Sequence, residues 1–532
     1  MNQSPTREIA VPSEGERAPA NRWIIALAVT VGTLMGAIDT SIVNVALPHI
    51  QSTLGVTINE VTWISTAYLI SLVIIMPLTA WLASLFGRKR VYMACLILFL
   101  VASFFCGNAT TFGMLVIFRG IQGIGAGALQ PTEQAILRET FPVEEQGLAM
   151  ALYGLAVMIG PAIGPSLGGL LTDNYSWRWI FFINIPIGLI GLLMVWHFVH
   201  DPRYLKRQPL RIDYAGVGLL AVGLATLQTL LEQGQTNDWF YSTFIVVLTI
   251  VAACSLGAFV WWELRISEPA VDLRLLKNLP FASGTFIGGV LGLSLFSGIF
   301  LLPLYMQTLL GFTPLQSGLA LMPRTLAMMA MMPIIGLAFN RLGTWKMVTG
   351  GLTIAAYAVW MMAHFTDRTD LTQLIIPQLI QGVGFSMIFV ALSTSALSNV
   401  PRERMTNATG LYNLIRQLGG SFGIAIFATL LEKHTTAMHT HLAEYANAYN
   451  PAFTQRMVGL QGYYRSLGND AVTAQARALA TINGIVWKQA AVMAFEYTFR
   501  LSFVLLVMCI PLVFLLKDRV VKRRALGEPV EE

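Results

Sequence analysis

An aspartate stands where hydrocarbon is expected. Asp39 lies in the stretch GAIDTSIVNVALP, inside an apolar run from Trp23 to Ala46. Ionisable side chains within a membrane span are costly to bury, so they are paired, face a cavity and mark proton or ion pathways. Arg119 is the candidate partner. At about 1.5 Å of rise per residue, Asp39 and Arg119 each sit roughly 10 Å from the outer ends of their own helices, so the two can share a level. A guanidinium favours the charged form of a neighbouring acid and burial opposes it. An acid balanced between these effects can load and release a proton; a static helix–helix ion pair is the other use of the same two residues. Glu133 follows Arg119 by 14 residues, about 21 Å further inward on nearly the same helix face. It reads as a proton port at the cytoplasmic mouth or as an interfacial acid held in water.

Other residues invite weaker readings. Arg324 and Arg416 are unpaired by sequence, and with Gln122 and Gln381 they are candidates for a substrate cavity. Gly160, Gly164 and Gly168 recur every four residues, interleaved with Pro161 and Pro165. Small residues at that spacing allow close helix approach and proline bends the chain, as expected of a kinked helix at a seam that limits leak. Gly87-Arg88-Lys89-Arg90 is a tight basic turn, echoed by Asn340-Arg341 and Gly343. Glu496 and Arg500, at i and i+4, form a helix ion pair. The methionines Met328, Met329, Met331 and Met332 either line a soft surface or face lipid.

Several motif matches lack their structural setting. Gly164 to Gly168 fits GxSxG but lies in a membrane helix, not a strand–turn–helix elbow. There is no P-loop and no dinucleotide turn after a strand. His434, His439 and His441 lack a ligand spacing with a carboxylate. Cys95, Cys106, Cys254 and Cys509 fall in apolar runs, pair in no CxxC and read as packing residues. No cofactor, no metal and no catalytic centre is expected.

Elements of one kind must position these residues. Of 532 residues, 55% are hydrophobic and 12% charged, about half the charged share of a soluble domain. Windows of about 20 apolar residues, the length that crosses a bilayer, fall near 23–46, 60–82, 91–107, 112–135, 148–172, 178–198, 213–232 and 242–263. Six more fall near 281–306, 315–338, 346–364, 371–397, 408–431 and 493–516, giving fourteen spans. Lys and Arg place both termini inside. Arg88 to Arg90, Arg203 to Arg211 and Lys517 to Arg524 lie on the inner side, whereas the short outer loops hold only Arg178 and Arg368. The net charge of +6 therefore serves the membrane, and no nucleic-acid partner is implied. The polar segment 433–492 reads as helical, an outward extension of spans thirteen and fourteen that is either inert or a docking surface.

The sequence repeats. Ile121-Gln122-Gly123-Ile124-Gly125 returns as Ile380-Gln381-Gly382-Val383-Gly384, 259 positions later, and Gly160 and Gly164 return as Gly419 and Gly423 at the same offset. The counterpart of Asp39 is Ser294, so proton duty falls on the first half. A shift of eight spans keeps both copies in one orientation, as in transporters whose central site faces alternate sides. The expected layout is a tail (1–22), a six-helix bundle (23–200) and two inserted helices (201–280). A second six-helix bundle (281–516, with the outer segment 433–492) and a tail (517–532) follow.

These residues resemble a family. GAIDTSIVNVALP, FGRKR, FRGIQGIGAG and GPAIGPSLGG resemble the major facilitator superfamily, the last being similar to its antiporter motif. WRWIFFINIPIG resembles the fourteen-spanner drug:proton antiporters, and Asp238-Trp239-Phe240 with Val271-Asp272-Leu273 narrows the resemblance to the EmrB-type branch. It implies an all-α integral membrane protein of the inner membrane that exports hydrophobic or amphipathic drugs in exchange for protons. It implies proton-coupling roles for Asp39 and Arg119, and partnership with a periplasmic adaptor and an outer-membrane channel. A metabolite transporter is the alternative. The acid position of the loop after span two is Ser84 here, a departure from the family pattern.

Overall fold

The computed structural model describes residues 21–201, 213–398 and 400–516, and every regular element among them is helical. The expected terminal tails and the basic inner segment Arg203 to Arg211 lie outside the described residues, apart from Asn21 and Arg22. Thirteen helices are long and apolar enough to cross a membrane. One of them, Gln316–Met362, has 47 residues, far more than the ~20 a bilayer needs. It breaks at Gly343, whose φ of 74° and ψ of 163° are not helical. Counted as two spans, it gives the expected fourteen.

The elements are α1 (Arg22–Leu54), α2 (Trp63–Phe86), α3 (Arg88–Gly107), α4 (Phe112–Thr140), α5 (Gln146–Asn174), α6 (Trp179–Phe198), α7 (Tyr214–Gln233), α8 (Thr243–Glu263) and α9 (Leu279–Thr308). Then come α10 (322–342), α11 (344–362), α12 (Leu371–Ser395), α13 (Met405–Ala443), α14 (Pro451–Ser466) and α15 (Ala471–Cys509). Helices suit this solvent because every backbone group is bonded within its own segment. The helix pairing repeats with the sequence: α5 packs on α1 and α13 packs on α9, while α4 packs on α2 and α12 on the α10–α11 helix.

The inserted pair is placed by side-chain bonds. From α7, Gln233 reaches Thr62 at 3.3 Å and Gln228 reaches Ser421 of α13 at 3.0 Å. Just beyond α7, Trp239 Nε1 donates to Thr429 at 2.8 Å. Thus α7 bridges both halves, while α8 turns most of its surface outward and exposes Cys254, which is not a packing residue. The outer segment is helical, as expected. α13 and α15, of 39 residues each, exceed the ~20 residues a bilayer needs, and α14 folds back along α15, tied by Tyr464 to Thr481 at 2.8 Å.

The glycine stripe of α5 does not lie at the seam between halves. A methyl group at Gly160 would run into the Ala37 backbone, one at Gly164 into Ser41, and one at Gly168 would meet Ile42 at 3.0 Å. Ser41 donates to the Gly160 carbonyl at 2.7 Å. The stripe therefore presses α5 onto α1, bracketing the turn that carries Asp39. Gly160→Ala should lower the thermal stability of the purified chain by about 1–3 kcal/mol through overpacking. Gly169→Ala, where an added methyl meets nothing within 4 Å, should be neutral or gain up to about 1 kcal/mol from helix propensity. Equal thermal shifts in the two variants would contradict this packing.

Candidate functional site

Five helices converge on Asp39. It comes from the middle of α1 and is fully buried. Arg119 Nη1 donates to its Oδ2 at 2.7 Å, Gln122 Nε2 to its Oδ1 at 3.0 Å, and Asn184 Nδ2 to the same Oδ1 at 2.9 Å. Arg119 and Gln122 share one face of α4 because residues three apart are neighbours on a helix. They bond each other at 2.8 Å. From α3, Ser103 accepts from Gln122 at 3.2 Å and from Asn184 at 3.1 Å, and donates to the Phe181 carbonyl at 2.9 Å. α2 supplies the Ile64 carbonyl, 3.3 Å from Arg119 Nε, and the Tyr68 ring, 4.2 Å beneath the guanidinium. A buried ion pair is tolerated only when its remaining donors and acceptors are satisfied, and here nearly all are. The exception is Asn184 Oδ1, which has no partner.

Asp39 and Arg119 were brought together by counting along the helices. Asn184, Ser103 and Tyr68 escaped sequence reasoning. Asn184 carried a usable signal, being the sole amide in an otherwise apolar span six.

Glu133 sits neither at an open mouth nor in interfacial water. It is fully buried between α4 and α1, where Thr30 donates to its Oε1 at 2.8 Å and its Oε2 has no partner.

The four cavity candidates do not share a cavity. Gln122 belongs to the Asp39 network. Arg416, from α13, bonds Gln130 at 2.9 Å, Asn413 at 3.0 Å and Tyr153 at 3.3 Å. Asn413 in turn donates to Gln134 at 2.8 Å and accepts from Tyr153 at 2.9 Å. Arg416 therefore lies in a polar seam that joins the inner parts of α4 and α5 to α13. Arg324 and Gln381 do meet, inside the second half, at a separate small cavity.

The seam continues inward. Arg138 donates to the Thr394 carbonyl at 2.6 Å and Asn340 bonds the Glu144 carbonyl. A methyl at Gly147 would meet the Gly336 carbonyl at 2.7 Å, and Met332 lies against Gly154. The basic turn belongs to this inner layer. Gly87 has a φ of +89°, which favours glycine. Asp201 accepts from Lys89 N at 2.8 Å, Lys89 Nζ reaches the Trp196 carbonyl at 2.6 Å, and Arg88 pairs with Glu139 while reaching the Arg402 carbonyl at 3.4 Å. An acid from the end of α6 thus caps α3 in a loop whose own acid position is Ser84. Elsewhere Glu496 and Arg500 pair as their spacing predicts. His439 stacks on Trp487 at 4.1 Å and His434 packs on Tyr497 at 4.0 Å.

The fold agrees with comparison to known proteins. The Major Facilitator Superfamily family matches residues 29–424, and the chain belongs to that superfamily of membrane transporters. Its similarity runs to multidrug export permeases of the EmrB kind. It is 36% identical to the multidrug export protein EmrB of Escherichia coli K12 over 443 residues, covering 83% of this chain and 85% of that one. It is 35% identical to EmrB of Haemophilus influenzae, over 80% and 84% of the two chains. It is 34% identical to the fatty acid resistance protein FarB of Neisseria gonorrhoeae, over 94% and 97%. Among solved structures, the human organic anion transporter MFSD10 superposes with a TM-score of 0.59 at 15% identity, over 92% of this chain and all of that one. The proton:xylose symporter XylE superposes at 0.56 and 14% identity, over 92% and 96%. Those structures share the fold. The chain is a multi-pass protein of the inner membrane.

Removing one partner of a buried ion pair strands the other charge. Arg119→Leu should therefore cost about 3–5 kcal/mol in the thermal stability of the purified protein. Adding Asp39→Asn to that variant should recover a large part of the loss. Simple additivity of the two single effects in the double-mutant cycle would show that the groups do not interact.

Proposed function

We propose that this protein is a drug:proton antiporter exporting hydrophobic or amphipathic compounds by alternating access. The observation that carries the reading is Asp39, a carboxylate sealed from lipid and bonded by Arg119, Gln122 and Asn184. The names of the relatives, multidrug export and fatty acid resistance, support the substrate class.

The chemistry follows from the contacts. Ionised, Asp39 is a pure acceptor and satisfies three donors. Protonated, it loses its charge attraction to Arg119 and gains an O–H that needs an acceptor. Asn184 Oδ1 is unpartnered, and a half-turn of that amide presents this oxygen to the new donor. Proton loading therefore loosens α1 from α4 while keeping it near α6. Glu133, 103 residues after its Thr30 partner and further inward on α4, lies along the inner route for the proton.

A ligand shifts a conformational equilibrium only by binding its states differently. Here the halves are fastened at the inner seam by Arg416, Asn413, Arg138 and Asn340. Inward opening breaks those bonds and outward opening keeps them. Protonation at Asp39 and drug in the space between halves are the two differential ligands. Gln122, tied to Asp39, couples the first to α4, which also carries the seam residues Gln130 and Gln134.

The outer segment carries exposed apolar side chains: Tyr449, between α13 and α14, is 95% exposed, Val472 of α15 75% and Val458 of α14 68%. Exposed apolar side chains that form one continuous patch mark a protein contact. In this reading the outer segment receives a periplasmic adaptor, which leads to an outer-membrane channel.

Asp39→Asn should insert at wild-type levels yet lose proton-driven uptake of a fluorescent amphipathic cation into everted membrane vesicles. Wild-type uptake by that variant would remove Asp39 from the coupling. Replacing Tyr449, Val458 and Val472 together by Ser should leave vesicle uptake intact and abolish recovery of a co-expressed adaptor with the permease. Undiminished recovery would place the contact elsewhere.

A further inference from the structure

The second half has its own version of the Asp39 site, with the charges rearranged. The repeat offsets of 255 to 259 residues set Ser294 where Asp39 stands, Gln381 where Gln122 stands and Gln378 where Arg119 stands. They set Arg324 where Tyr68 stands. The cation has moved from the α4 position to the α2 position, and the acid is gone. Arg119 has a carboxylate at 2.7 Å. Arg324 has none: among the described residues no ion pair or hydrogen bond is made by its guanidinium, though the residue is only 3% exposed.

The surroundings suit a counter-ion. A small cavity, with about 10 Å³ for the centre of a water-sized guest, has Arg324, Ser294, Ser297, Gln381 and Ser502 on its polar side and apolar side chains such as Leu302 and Phe499 on the rest of its wall. Ser294 Oγ and Gln381 Oε1 have no partner and their residues are 3% and 2% exposed. Arg324 Nη1 lies against Gly298, where even a methyl group would come only within 3.3 Å. Arginine does not shed its proton, so it cannot neutralise itself as a buried lysine does. An isolated charge in this interior carries a large desolvation penalty that a counter-charge relieves.

We propose that this cavity binds a single chloride-sized inorganic anion as the counter-ion of Arg324. Its ligands are the Arg324 guanidinium, the rotatable Ser294 hydroxyl and the Gln381 amide, turned to present its NH₂ group. One cation calls for a monoanion, and the narrow cavity favours a small one. The first half is neutralised by its own carboxylate, whose occupancy by a proton is the coupling event. The second half is neutralised by a solute ion and serves as the static partner.

The test is thermal unfolding of the purified full-length chain in chloride, in bromide and in gluconate, at equal ionic strength and pH. Chloride and bromide should raise the midpoint saturably over gluconate. Arg324→Gln should erase the difference. Ser294→Asp, which supplies a built-in acid at the position of Asp39, should raise the midpoint in gluconate to the chloride value and also erase the response. A wild-type midpoint identical in chloride and gluconate overturns the proposal. So does a halide response that persists in both variants, or a response to acetate and none to halides.

Discussion

A charge in a low-dielectric interior must be answered by another charge or by a full set of hydrogen bonds, and that constraint organises this molecule. Asp39 is answered by Arg119 at 2.7 Å, and the pair cannot form unless α1 and α4 meet at one level. The remaining polar atoms then demand Gln122, Asn184 and Ser103, which bring in α3 and α6. The Tyr68 ring under the guanidinium adds α2. The glycines of α5 complete the enclosure by letting it lie against α1 on either side of Asp39. Five of the first six helices are thus placed by the need to neutralise one carboxylate, and the sixth is placed by close packing against the helix that bears it.

The two halves meet through close packing and through a layer of polar bonds. Within the first half, glycine contacts and the Asp39 hydrogen-bond network join the helices, and glycine contacts also cross between halves at Gly147, Gly154 and Gly410. Between halves, the inner seam is held by hydrogen bonds from Arg416, Asn413, Arg138 and Asn340. Hydrogen bonds of this kind each contribute only about 0.5–1.5 kcal/mol net, because water replaces them when they open. α7, bonded to Thr62 just before α2 and to Ser421 of α13, contacts each half.

Much of this was readable in the sequence, and the boundary is physical. Charged residues in apolar runs announce themselves, and a fixed rise per residue sets their depth, so Asp39 and Arg119 could be paired without coordinates. The span count follows from hydropathy; the Gln316–Met362 stretch counts as two spans because its backbone leaves the helix at Gly343, whose φ of 74° and ψ of 163° are not helical. Which helices lie side by side is not written in periodicity. The glycine stripe of α5 was legible as a stripe, while its partner, α1 rather than the opposite half, was not. The bonds of Arg416 to Gln130 and Tyr153 depend on the register between halves, which no local pattern encodes. Neutral polar residues such as Ser103 and Tyr68 are too common in spans to signal a site.

The central claim is that Asp39 exchanges its proton for drug. Proton release on drug binding tests this most directly, measured with a pH dye on the purified full-length chain in weakly buffered detergent. Wild-type protein should release protons as an amphipathic cation binds, while Asp39→Asn should bind the same cation and release none. Silent binding by the wild type, or undiminished release from the variant, would contradict the account.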